Sequence, residues 1–78
     1  MPDLARAERL LRELMAEVGV QLPPGCKVLL VTAAQAALLE FGSRHQFSEV
    51  KVEFRGAQPY MATVEFAGMV EHFLLEGG

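Results

Sequence analysis

The stretch SEVKVEFRGAQPYMATVEFAGMVEHFLL, Ser48 to Leu75, decides how this chain folds, because its hydrophobic period is two. Val50, Val52 and Phe54 alternate with Glu49, Lys51, Glu53 and Arg55, the pattern of a strand with one wet face. Gly56-Ala57-Gln58-Pro59 reads as a turn, after which Tyr60, Ala62, Val64 and Phe66 alternate with Met61, Thr63 and Glu65. Ala67-Gly68 is a second turn. Met69 to Leu75 fits two readings. As a helix it would gather Met69, Val70, Phe73 and Leu74 and end at Gly77. As a strand it places Val70, His72 and Leu74 on one face and Met69, Glu71, Phe73 and Leu75 on the other. The short return from Phe66 favours the strand.

Upstream the period changes. Leu4, Ala7, Leu11, Leu14 and Val18 recur at three- and four-residue steps, which predicts a surface helix over 4–18. Glu8 to Arg12 and Arg9 to Glu13 are i,i+4 pairs on its outer side. Asp3 can cap its start, and Gly19 can end it in a left-handed turn that Val20 closes. After Pro23-Pro24-Gly25, the run Cys26 to Val31 is short and apolar, and reads as a central strand or one covered on both faces. Thr32 with Gln35 three residues on is a capping-box pattern, so Ala33 to Phe41 should be helical, with Ala34, Ala37, Leu38 and Phe41 on one face.

The expected fold is α+β: a two-layer sandwich in the order α-β-α-β-β-β, with both helices on one face of a mixed four-stranded sheet. Cys26 to Arg55 would form a β-α-β unit with parallel strands. At 78 residues and 8.6 kDa the whole chain, 1–78, reads as a single domain.

Composition narrows the function classes. Ten acids against seven bases, a formal net charge of −3, argue against non-specific nucleic-acid binding, which needs a field of cations. The same charge suits anionic membranes poorly, and no apolar run reaches the roughly 18–20 residues of a membrane span. One cysteine makes no internal disulfide, which points to a reducing cytoplasm. Glu dominates the acids, Arg the bases, and Asn is missing. Such a bias suits a protein selected for heat, and a GC-rich genome produces much of it as well.

No catalytic residue and no metal or cofactor ligand set stands out. Cys26 lacks a positioned base and reads as a small apolar residue at the start of a strand. His45 and His72 have no companions at ligand spacing. The turn at Thr32, Ala33 and Ala34 offers backbone N–H groups for an anion or small molecule, without a glycine-rich phosphate motif. The tail Gly77-Gly78, with the short chain length, resembles that of the ubiquitin-like sulfur carriers, which implies a C-terminal carboxylate activated by a partner enzyme. Those proteins open on a β-hairpin, whereas this sequence opens on a helix.

Apolar residues make up 51% of a chain this small, more than a thin core conceals. If the last segment is a strand, Met61, Met69, Phe73 and Leu75 fall on the sheet's second face, and Leu39 on the second helix adds to them. The expectation is a non-enzymatic, self-associating interaction or accessory module, most simply a dimer. A ligand-binding regulatory domain and a sulfur-carrier-like protein stand as alternatives.

Overall fold

The structure, a computed structural model, describes residues 4–29 and 31–76. The Asp3 cap, Leu30 and the Gly77-Gly78 tail lie outside the described residues.

Helix α1, Leu4–Glu17, buries Ala7, Leu11, Leu14 and Met15. It ends as its sequence predicts. Gly19 takes φ +86°, its N–H donates to the Ala16 carbonyl, and the Val20 N–H reaches back to Met15 at 2.9 Å. That is a Schellman closure, which satisfies two of the helix's last carbonyls. Strand β1 covers only Lys27–Val28. Helix α2, Ala33–Ser43, follows with its capping box formed. Strands β2 (Glu49–Arg55), β3 (Gln58–Phe66) and β4 (Met69–Glu76) make a meander, and the last segment is therefore a strand.

The sheet order is β1-β4-β3-β2, and every pairing is antiparallel. The fold is α+β in the expected element order, but the sheet is antiparallel throughout instead of mixed. Three antiparallel steps separate β1 from β2, so the two run in opposite directions and Cys26 to Arg55 is not a parallel β-α-β unit. Nor is the Cys26–Val31 run a central strand. After the Leu29 N–H donates to the Leu74 carbonyl, the chain leaves the sheet to enter α2. Gln35 Nε2 then donates to the next carbonyl on that side of β4, that of His72, at 2.8 Å. A side chain thus occupies a position that a longer β1 would have filled.

The core lies between the helices and one sheet face. Ala62, Val64, Phe73 and Leu75 come from the sheet, Leu11 and Met15 from α1, and Leu38 and Leu39 from α2. Hairpin register sets which face of β4 joins it. Phe66 pairs with Met69 across the Ala67-Gly68 turn, where both residues have positive φ. Directly opposed residues share a face, so Met69, Glu71, Phe73 and Leu75 side with Phe66. Phe73 and Leu75, expected on the second face, are core residues at 0% and 6% exposure. Leu39, expected at an interface, is likewise buried at 1%. The inner face of α2 also differs from expectation. Gln35, Ala36, Leu38, Leu39 and Gly42 point inward while Ala34, Ala37 and Phe41 are exposed. Gly42 is inward because the Phe47 ring lies against it, in space that a Cβ would occupy.

Candidate interaction surface

Cys26 is buried, and Arg12 bridges its carbonyl and the Glu8 carboxylate, the latter at 3.0 Å. Burial raises the thiol pKa, the Arg12 charge opposes this, and Glu8 adds to it. A raised pKa keeps the neutral thiol at physiological pH, the reverse of an activated nucleophile. Labelling with a maleimide at pH 7 should therefore run at least about tenfold slower than for a free cysteine and recover in denaturant. Rapid labelling of the folded chain at pH 6 would contradict this. The linkage has a definite sign. With the folded pKa above the ordinary value of 9.0, this contribution to stability is present below pH 9 and is lost above it.

The histidines sit apart. His45 stacks at the end of α2 beside Phe41, with ring centroids 4.6 Å apart, and both approach Phe66. His72 lies on the outer face of β4, within 3.0 Å of the Thr63 hydroxyl. It shares that face with Val70 and Leu74, which turns away from the helices. Among the described residues, no group of three or more His, Cys, Asp or Glu is placed to hold a metal ion.

At the Thr32 turn, the Gln35 N–H donates to Thr32 Oγ1 at 3.1 Å and the Thr32 N–H donates to Gln35 Oε1 at 2.9 Å. The cap is closed on itself, which accounts for Thr32 by helix chemistry. Ala33 and Ala34 are exposed beside it. Ala34 meets Met69 across a groove of about 440 Å³ between α2 and β4, which Ala37, Leu38, Phe41 and Glu71 complete. Thus Met69 is exposed on the helix side of the sheet, not on the second face.

The second face carries a different apolar set from the one expected. Leu29, Val70 and Leu74 stand there at 51%, 49% and 53% exposure, with Met61 partly buried between β4 and β2. Of the interface residues read from sequence, only Met61 is on this face. Both helices occupy the other one. Leu29, Val70 and Leu74 escaped the sequence reading because they were assigned inward. The even count of the two-residue turn, carried from Phe66 to Met69, was the signal that places them.

No helix among the described residues is long and apolar enough to cross a membrane. Compared with known proteins, the chain matches no family model, no curated protein and no solved structure.

Proposed function

We propose that this chain is a small, non-enzymatic interaction module of the cytoplasm that works as a self-associated homodimer or larger assembly. One observation carries the reading. Eight large apolar side chains among the described residues stand between 47% and 55% exposed: Leu4, Val18, Leu29, Phe41, Phe54, Met69, Val70 and Leu74. Leu29, Val70 and Leu74 lie on the sheet's open face, Phe54 at its β2 edge, Leu4 and Val18 at the two ends of α1, and Phe41 and Met69 along the groove between α2 and β4. Each is already about half covered, so burying the remainder contributes about 0.8–1.5 kcal/mol apiece, a driving force that no described element of this chain takes up. A buried, neutral Cys26 and the self-capped Thr32 turn support a binding role over catalysis.

Sedimentation equilibrium tests it. At about 100 μM, well above a micromolar dissociation constant, the wild-type chain should have at least twice the 8.6 kDa mass and should dissociate on dilution. A monomer at that concentration would overturn the reading.

A further inference from the structure

The outer edge of β2 has a property that its charges reveal when the strand is read against itself. Strand β2 is the last in the sheet, and its sequence is Glu49-Val50-Lys51-Val52-Glu53-Phe54-Arg55. An edge strand is a template for further pairing, and charged side chains commonly prevent it. Here the charges are antisymmetric about Val52. We infer that β2 pairs with β2 of a second copy, antiparallel, with the two-fold axis at Val52, joining two four-stranded sheets into one of eight.

The inference rests on the self-association proposed above and gives it one surface, the β2 edge, which covers Val18 and Phe54 of the eight exposed side chains. In this register Glu49 lies opposite the partner's Arg55 and Lys51 opposite the partner's Glu53, with both contacts repeated by symmetry. Val50 meets the partner's Phe54, and Val52 meets the partner's Val52. A closed two-fold interface must be self-complementary in this way. Neighbouring registers are not. Moving the axis to Lys51 sets Lys51 against itself and Glu49 against the partner's Glu53. Moving it to Glu53 sets Glu53 against itself and Lys51 against the partner's Arg55. Like charges directly opposite are destabilising, and one-residue slips turn the apolar row to the wrong face.

Backbone parity agrees. The Leu74 carbonyl faces β1, where it accepts from Leu29. Alternation then turns Phe73 toward β3 and its partner Ala62 toward β4. Met61 and Thr63 accordingly face β2, and their partners Glu53 and Lys51 face back. Val50 and Val52 are left with N–H and C=O groups directed outward, and Phe54 continues the row. With the axis at Val52, these residues pair with one another across the dyad. Lys51 and Glu53 then fall at non-hydrogen-bonded positions, where side chains approach most closely.

The apolar row supplies a second reason. Phe54 is 47% exposed although it continues the helix-side row of Val50 and Val52, both of which pack on the core. Val18, the residue after α1, is 49% exposed and borders the same edge beside Val50. Placing the partner's Phe54 opposite Val50 would cover both. The Lys51–Glu49 ion pair at 3.3 Å is exposed on both sides, and such pairs contribute little, while Glu53 accepts from the Tyr60 hydroxyl at 2.6 Å and Arg55 lies over the Tyr60 ring, both on this exposed strand.

Charge reversal by mixing is the test. Lys51→Glu and Glu53→Lys should each raise the dissociation constant at least about tenfold, since each sets like charges opposite one another twice per dimer. Both positions are exposed, so circular dichroism should show each variant folded. An equimolar mixture of the two should associate again, and native mass spectrometry should show the heterodimer at more than about twice either homodimer, the ratio that random pairing alone would give. In this register both contacts between positions 51 and 53 are repulsive in each variant alone and complementary in the mixed pair. A wild-type dimer that both variants leave intact, or a mixture in which heterodimer is not enriched, overturns the β2 pairing and leaves self-association standing. A wild type that is monomeric at about 100 μM, far above a micromolar dissociation constant, removes both.

Discussion

Replacing Phe73 with alanine should cost about 3–5 kcal/mol, the usual range for an aromatic side chain removed from a core. Phe73 has no exposed surface and sits between β3 and the helices in the main cluster. A chain of this size belongs near the low end of the 5–15 kcal/mol typical of folded domains, so Phe73→Ala should lie close to unfolding at room temperature. The adjacent residue provides the contrast. Leu74 points to the open face at 53% exposure, and Leu74→Ala should change stability by no more than about 0.5 kcal/mol. Urea unfolding followed by circular dichroism measures both. Equal effects, or a larger one at Leu74, would mean that β4 presents its other face to the core.

Gln35→Leu should destabilise by about 2–4 kcal/mol even though leucine is the better apolar residue at a position only 8% exposed. Gln35 holds three hydrogen bonds: two close the capping box with Thr32, and one joins α2 to the His72 carbonyl. The substitution breaks the side-chain half of the box, the Thr32 N–H bond, at about 0.5–1.5 kcal/mol, while the Gln35 N–H bond to Thr32 Oγ1 survives. Leaving the His72 carbonyl without its donor costs a further roughly 1–3 kcal/mol. Thr32→Ala removes only the cap and should cost about 1 kcal/mol. The double variant should be less destabilised than the sum, because both changes break the same box. A Gln35→Leu protein within about 0.5 kcal/mol of wild type would show that the link to β4 is dispensable.

These two residues also mark the reach of the sequence. The capping box was legible from Thr32 and Gln35 because it is local: four consecutive residues suffice to build it. That the same amide would reach across to β4 was not legible, since His72 is 37 positions away and nothing in the spacing connects them. Likewise Leu4 to Glu17 announced its helix and its Gly19 ending through 3.6-residue periodicity and one turn residue. Of its apolar stripe, Ala7, Leu11 and Leu14 are buried, whereas Leu4 and Val18 at its two ends stand half exposed. The alternation in β2 and β3 showed their strand character and, from Val50 to Val52 and Ala62 to Phe66, their inner faces. At the start of β3, however, Gln58 and Pro59 are strand instead of turn, and a register shift between Glu53 and Phe54 buries Pro59 and turns the Tyr60 hydroxyl to Glu53.

Strand β4 is different because both its faces are apolar. Met69, Phe73 and Leu75 compete with Val70 and Leu74, so a period of two establishes a strand but leaves the choice of face to its neighbour. Register with β3 across Ala67-Gly68 makes that choice, and it moves Phe73, Leu75 and, with them, the whole candidate surface. Strand β1 was misread for a related reason. Its apolar run describes burial but carries no information about partner or direction. Once β2, β3 and β4 form a meander, only the two outer edges remain to pair with, and β1 takes the one beside β4. The sequence by itself determined the elements, their order and the local caps, which depend on contacts a few residues apart. Tertiary structure alone decided strand direction, the buried face of β4 and the surface left for a partner, because those depend on which distant segments share one core.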